Sequence, residues 1–291
     1  MNINKVVIAG STGYLGKYMV KESIQRGLPT IAVARNTNKL SEVNSPNLLK
    51  LRVDFNKPTT ISSALVGVDT VISSLGITRQ KDGLTYMDVD YQANANLLKE
   101  AKKAGVRKFI YISVLNGQNM RQLKICEAKE RFVDELKASG LEYSIIRPTG
   151  FFSDMKDFLD MAAKGKVYLF GDGKKQMNPI HGEDLAKVCL DAVETDKQEI
   201  EVGGPEVLSH RQIAQIALQA YNKPINIKHL PDWIRRFVIQ VMRIFTTSKT
   251  YGSIEFFLTA MENDMVGISY GKHKLNDFFK SQISSLPHTK R

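Results

Sequence analysis

An apolar run, Val6-Val7-Ile8-Ala9, passes directly into Gly10-Ser11-Thr12-Gly13-Tyr14-Leu15-Gly16 and from there into an amphipathic stretch that lasts to Arg26. No other feature restricts the fold as strongly. A strand that turns tightly into a helix needs a residue without a Cβ at the bend, which assigns Gly10. A pyrophosphate that approaches the backbone at the helix N-terminus needs the same freedom at Gly13, and close packing of helix on strand favours Gly16. Ser11, Thr12, Tyr14 and Leu15 share this turn and are assigned with the glycines to dinucleotide contact. A structural turn can also hold two glycines; the strand before, the helix after and the continuing β-α order favour the dinucleotide.

That order is visible along the first half. Strands are predicted at Lys5 to Ala9, Thr30 to Ala34, Leu49 to Val53, Thr70 to Ser73, Lys108 to Ser113 and Glu142 to Ile146. They are short and mostly rich in Val and Ile, as buried parallel strands are. Helices are predicted at Leu15 to Arg26, Thr59 to Leu65, Met87 to Ala104 and Leu123 to Ser139, with Gly27, Gly105 and Gly140 at C-terminal caps. The fold class is therefore α/β, a Rossmann-type doubly wound parallel sheet. Residues 1–150 form the dinucleotide-binding core. Residues 151–291 form a smaller substrate lobe whose interleaved elements complete the sheet: a helix from Glu183 to Val193, a strand from Glu199 to Val202, a helix from Ser209 to Asn222 and a strand from Pro224 to Leu230.

The second strand ends Ala32-Val33-Ala34-Arg35-Asn36. An acid there would accept hydrogen bonds from ribose hydroxyls, whereas a cation holds a 2′-phosphate. Arg35 therefore places NADP(H) ahead of NAD(H). Asp54, after the third strand, either bonds the adenine amine or caps its own turn.

These residues resemble an atypical short-chain dehydrogenase/reductase of the NmrA-like and isoflavone-reductase-like branch. The resemblance spans nearly the whole chain. It rests on the glycine turn, on Ser73-Ser74-Leu75-Gly76, on Tyr111-Ile112-Ser113-Val114, on Arg147-Pro148-Thr149-Gly150 and on Asn178-Pro179-Ile180-His181-Gly182-Glu183-Asp184-Leu185-Ala186. It implies a cofactor laid across the strand ends, touching Ser73, Leu75, Gly76, Ser113, Pro148, Thr149 and Gly150, with Phe151 and Phe152 walling a substrate pocket. The family's usual members carry a proton-donating Tyr four residues before a Lys. Here Lys129 is present and Ile125 stands in the tyrosine's place. Tyr270 and Lys274 repeat the spacing far downstream of the sheet, where the match reads as coincidence.

Lys129 shares a helix face with Ile125, Phe132, Val133 and Leu136, while Glu127, Glu130 and Arg131 are expected to point elsewhere. A lysine on an apolar stripe must be paired or working, since burial penalises its charge and lowers its pKa. It is the candidate for holding the cofactor ribose or for catalysis. Without the tyrosine two readings stay open: reduction of an apolar enone, quinone or carbonyl by NADPH, with Lys129 or water supplying the proton, or an NADP(H)-binding sensor, regulator or assembly factor without turnover. Cys126 reads as a small core residue rather than a nucleophile, and His181 with Asp184 as a helix-start device.

The 41 Lys and Arg exceed the 30 Asp and Glu, giving a formal charge of +11. From Glu206 to Arg291 the balance is 12 against 6, over half the excess. There, Trp233 to Phe245 forms a helix whose polar stripe, Arg236, Gln240 and Arg243, is flanked by a wide apolar arc. That arc is expected to bury itself in the lobe or a dimer contact, or to dip into an anionic membrane. No nucleic-acid motif accompanies the charge, and the two cysteines, Cys126 and Cys189, lack metal-ligand spacing. With no export signal or spanning segment, the expectation is a cytoplasmic protein, monomeric or homodimeric, reaching a membrane at most through residues 233–245.

Overall fold

The computed structural model describes residues 5–77 and 83–285, those at 248–250 by backbone alone; residues 1–4, 78–82 and 286–291 of the two predicted units lie outside the described residues. The first half runs β1 (Val6–Ala9), α1 (Tyr14–Gln25), β2 (Thr30–Ala34), β3 (Leu48–Arg52), α2 (Pro58–Ala64), β4 (Thr70–Ser73), α3 (Asn94–Lys103), β5 (Lys108–Ile112), α4 (Lys124–Lys137) and β6 (Glu142–Pro148). Then follow α5 (Lys156–Ala163), β7 (Val167–Phe170), β8 (Gln176–Met177), α6 (Gly182–Asp191), β9 (Glu199–Val202), β10 (Leu208–Ser209) and α7 (His210–Ala220). The chain closes with β11 (Ile227–Leu230), α8 (Asp232–Phe245), α9 (Ser248–Ala260) and α10 (Leu275–Ser284).

Seven strands form one parallel sheet in the order β3-β2-β1-β4-β5-β6-β9. Every residue of β1, β2, β4 and β5 is buried, because helices cover both faces. Alternate residues of β1 feed opposite layers. Val7 packs with Ile61 of α2, Leu98 of α3 and Phe132 of α4, whereas Val6 and Ile8 pack with Met19 of α1 and Leu185 of α6. Gly27, Gly105 and Gly140 sit at φ of +72°, +71° and +83°, the left-handed geometry of a helix stop. The strand order reverses between β1 and β4, which opens the crevice where ligands of such sheets bind.

Residues 182–202 return to this sheet: α6 packs on α1, and β9 pairs with β6. The lobe has its own core, in which Phe158, Val167, Leu169, Ile213, Leu218 and Phe279 are all buried. The predicted helix from Met87 is divided. Met87–Ala93 is π-helical and α3 begins only at Asn94. The cause is local: the Asn94 amide donates to the carbonyls of Val89 and Asp90, at 3.2 and 2.9 Å, and so competes with the regular helical ladder.

His210 opens α7 behind a Ser209–Gln212 capping box and is 3% exposed. Burial pulls its pKa down to about 4. The folded chain therefore keeps this ring neutral between about pH 4 and 6.5, where the unfolded chain takes up a proton. Stability is expected to fall as pH drops through that window, by at most about 3 kcal/mol from this group. Denaturant titrations at pH 7 and pH 4.5 measure it; a loss unchanged in His210→Gln would remove His210 as the cause.

Candidate functional site

The glycine turn sits at the reversal point. Gly10 has φ +78°, and a Cβ on Gly16 would stand 2.1 Å from the Gly10 carbonyl oxygen, so both are required by the bend and the contact. Gly13 is the N-cap of α1, with no side chain capping the helix and no acid in its first turn. Its N-terminal N–H groups and the positive end of the helix dipole are thus available to an anion. Ser11 is fully buried, its hydroxyl donating to the Val33 carbonyl at 3.0 Å, so it braces the turn.

Two cavities adjoin here and share Gly13, Ser74, Gly76 and Ile77. The first, about 270 Å³, is lined by Gly10, Thr12, Gly13, Arg35, Asp54, Leu75 and Gly76, bringing together residues of the predicted diphosphate and adenosine contacts. Lys39, which sequence reasoning missed, adds a second cation beside Arg35. Asp54 caps its own turn, its Oδ1 accepting the Asn56 N–H at 3.0 Å, and it also lines the cavity. Ser73 does not line either cavity. Its hydroxyl meets the Asn94 side-chain oxygen at 2.5 Å and accepts the Leu75 N–H at 3.3 Å, which shapes the Ser73–Gly76 turn from behind.

The second cavity, about 250 Å³, is lined by Tyr14, Leu15, Gly16, Ser113, Lys129, Pro148, Thr149, Gly150 and Phe151. Ile125 and Phe256 complete an apolar wall. Phe152 is corrected from the expectation: it is 1% exposed and packs on Phe278 and His181 in the lobe, because it opens a helical turn that directs it away from the sheet. The Tyr14 hydroxyl accepts the Gly182 N–H at 3.1 Å and its ring meets Phe151, tying the glycine turn to the lobe.

Lys129 Nζ lies 3.0 Å from Asp90 Oδ1; the lysine side chain is 13% exposed and the aspartate fully buried. Burial lowers the Lys129 pKa, but the Asp90 carboxylate beside it works the other way and the net direction is upward. This reverses the expected direction and holds the group as an ammonium. Burial raises Asp90, and Lys129 with the Ile77 N–H, 3.1 Å from Oδ2, pulls it partly back. Tyr111 lies beneath, its ring centre 5.5 Å from Nζ, kept phenolic chiefly by burial. A Cβ on Gly76 would fall 2.7 Å from Asp90 Oδ1 and 3.1 Å from Lys129 Nζ, so only glycine lets the turn cover this pair. Asp90 escaped the sequence reading, although Asp90 and Asn94 are polar residues one turn apart beside the apolar Ala93 and Leu97.

Behind the second cavity, Arg147 makes a two-pronged pair with Glu130, at 2.7 and 3.0 Å, and reaches Glu199 through Nε at 2.8 Å. Ser113 donates to Glu130 at 2.8 Å, so its hydroxyl is committed to this network while the residue lines the cavity. Glu130 was expected to point away from the apolar face and is instead wholly buried. Cys126 is a buried core residue whose thiol burial pushes up to about 12. His181 caps α6, accepting the Glu183 N–H at 3.3 Å, and Asp184 accepts the N–H groups of Lys272 and His273, both at 3.0 Å.

A family model described as NAD(P)H-binding matches residues 10–196. The chain is 31% identical to the divinyl chlorophyllide a 8-vinyl-reductase of Arabidopsis thaliana, across 96% of this chain and 76% of that protein. It is 25% identical to the photosystem II assembly factor Ycf39 of Synechocystis, across 83% and 75%. Its fold is shared with the triphenylmethane reductase of Citrobacter sp. complexed with NADP(H), at TM-score 0.72 and 14% identity, covering 97% of this chain and 100% of that one. With its parallel sheet, its glycine turn and these relatives, the chain belongs to the NAD(P)H-binding atypical short-chain dehydrogenases/reductases.

Proposed function

We propose that this protein is an NADPH-dependent reductase of an apolar small molecule bearing an enone, quinone or carbonyl group. The observation that carries the reading is a single buried ammonium, Lys129 held by Asp90, at the wall of an otherwise largely apolar cavity continuous with the glycine turn. The residues fit a dinucleotide: an uncapped helix start at Gly13, beside a cavity lined by Gly10 and Gly76, whose close packing on Ser74 and on the Asp90–Lys129 pair leaves no room for a Cβ. In this reading Thr12, Gly13, Leu75 and Gly76 hold the diphosphate side, Arg35 and Lys39 take the 2′-phosphate, and Pro148, Thr149 and Gly150 flank the nicotinamide end. NADPH supplies a hydride when bound.

The chain's own contribution follows from its electrostatics. Lys129 is held charged, so it stabilises negative charge developing on the substrate rather than giving up its proton outright. Water is then the proton source for the reduced product. Phe151, Ile125 and Phe256 exclude bulk solvent, which strengthens that interaction.

A second reading, a cofactor-binding assembly factor, draws on Ile125: α4 presents no phenol to the cavity where the family's tyrosine would stand, and one relative is named an assembly factor. The deciding experiment follows NADPH absorbance with a panel of quinones, enones and aldehydes. Oxidation with at least one class is expected; tight binding with no oxidation by any of them would favour the second reading. In the same titrations Arg35→Ala is expected to weaken NADPH roughly tenfold to a hundredfold and NADH little. Equal losses would overturn the NADP assignment.

A further inference from the structure

Helix α8 does not bury the arc expected of it. Its inner face packs on α9, and Arg235 is buried with ion pairs to Asp232 and Glu262. Trp233, Phe237 and Ile244 project outward instead, 66%, 58% and 75% exposed, and fall along one line of the helix at 3.6 residues per turn. Three large apolar side chains in one row on a solvent face need a partner.

The charge around that row narrows the choice. The three arginines of α8 are offset by Asp232 on the same helix and by Glu255 and Glu262 from outside it, so α8 taken with its ion-pair partners is close to neutral. A surplus lies beside it on the β7–β11 ribbon, against which α8 packs. There the exposed Tyr168 stands in register with the exposed Lys228, and Lys166 Nζ lies 5.9 Å from the Tyr168 ring centre. Trp and Phe on α8 with Tyr and lysines on the adjoining ribbon is the composition of a surface that sits at a bilayer boundary, rings among the acyl chains and ammonium groups at the phosphates. Among the described residues no helix is long and apolar enough to cross a membrane, so any contact through α8 is with one leaflet.

We infer that α8 and the adjoining β7–β11 ribbon form a docking surface for an anionic membrane. Helix α8 lies in the plane of the leaflet, with Trp233, Phe237 and Ile244 below the headgroups and Lys166 and Lys228 against their phosphates. The inner helix of the hairpin, α9, carries Phe256 into the cavity wall, so the docked element is also part of the site's enclosure. On the reading proposed above, that arrangement suits a substrate dissolved in lipid; the docking itself does not depend on it.

Trp233 is the chain's one tryptophan, so its fluorescence reports this face alone. Mixing the full-length protein with vesicles of phosphatidylcholine and phosphatidylglycerol is expected to shift emission to shorter wavelength and to float the protein. Pure phosphatidylcholine or high salt should weaken both effects. The double variant Phe237→Glu/Ile244→Glu, at exposed positions, is expected to melt and bind NADPH as the parent does and to partition on the order of tenfold less. Lys166→Glu/Lys228→Glu should remove the preference for anionic lipid. Unchanged emission with no flotation of the parent overturns the inference. So does a blue shift that grows with protein concentration without vesicles, which would assign the face to a second copy of the chain. Neither readout requires turnover, so a failure here is separate from a failure of the reductase reading.

Discussion

Lys129→Met is expected to lower NADPH-dependent turnover by on the order of a hundred- to a thousandfold, the loss that follows removal of one preorganised charge from a water-poor site. Methionine keeps the apolar stem and most of the volume, so the cavity wall beside Ile125 and Phe256 is preserved. What the substitution also does is leave Asp90, fully buried, without its counterion. The single variant should therefore melt earlier, and its lost activity could be blamed on disorder. The double variant Lys129→Met/Asp90→Asn separates the two effects: with no charge left to bury, its stability should return while its activity stays low. Recovery of both in the double variant would make Lys129 a structural counterion only. In a protein that binds NADPH without turning it over, the same pair of variants would register as weaker cofactor affinity.

The core was readable in advance because its signals are local. Four strands buried on both sides must be apolar throughout, and Gly27, Gly105 and Gly140 end their helices by conformations that few other residues adopt. Lys129 stood out for a related reason, a cation at apolar spacing on one helix. Its charge state was not readable, because the group that reverses the effect of burial, Asp90, lies on a different helix and no spacing connects the two. The same limit applies to Glu130, whose neighbour Arg147 comes from β6. For α8, periodicity identified the helix but not the face that turns inward. The packing of α9 decides that, and the sequence of α9 carries Gly252 and Ser253 in mid-helix with no clear stripe to announce it. Phe152 was misplaced because Phe151 and Phe152 are alike in chemistry, and only the turn that starts between them sends one to the site and the other to the lobe.

Arg147→Met is expected to cost about 3–5 kcal/mol of folding stability, more than any surface pair in the protein, because it strands the Glu130 carboxylate in a place water does not reach. The contrast within the same helix is informative. Arg121–Asp134 has similar geometry, but its side chains are 47% and 56% exposed, and breaking it should cost no more than about 1 kcal/mol. Urea titration of the two variants measures the difference, and near-equal losses would show that burial is not what makes the inner pair matter. Removing both charges by Arg147→Met/Glu130→Gln should restore most of the stability, since the expense lies in the unpaired ion rather than in the absence of the pair. The network also joins three parts of the site: Ser113 at the end of β5, the backbone of β6 that leads to Pro148–Gly150, and α4 with Lys129. The restored double variant is therefore expected to fold well and bind NADPH more weakly than the parent. A double variant with parental affinity would confine this pair to stability.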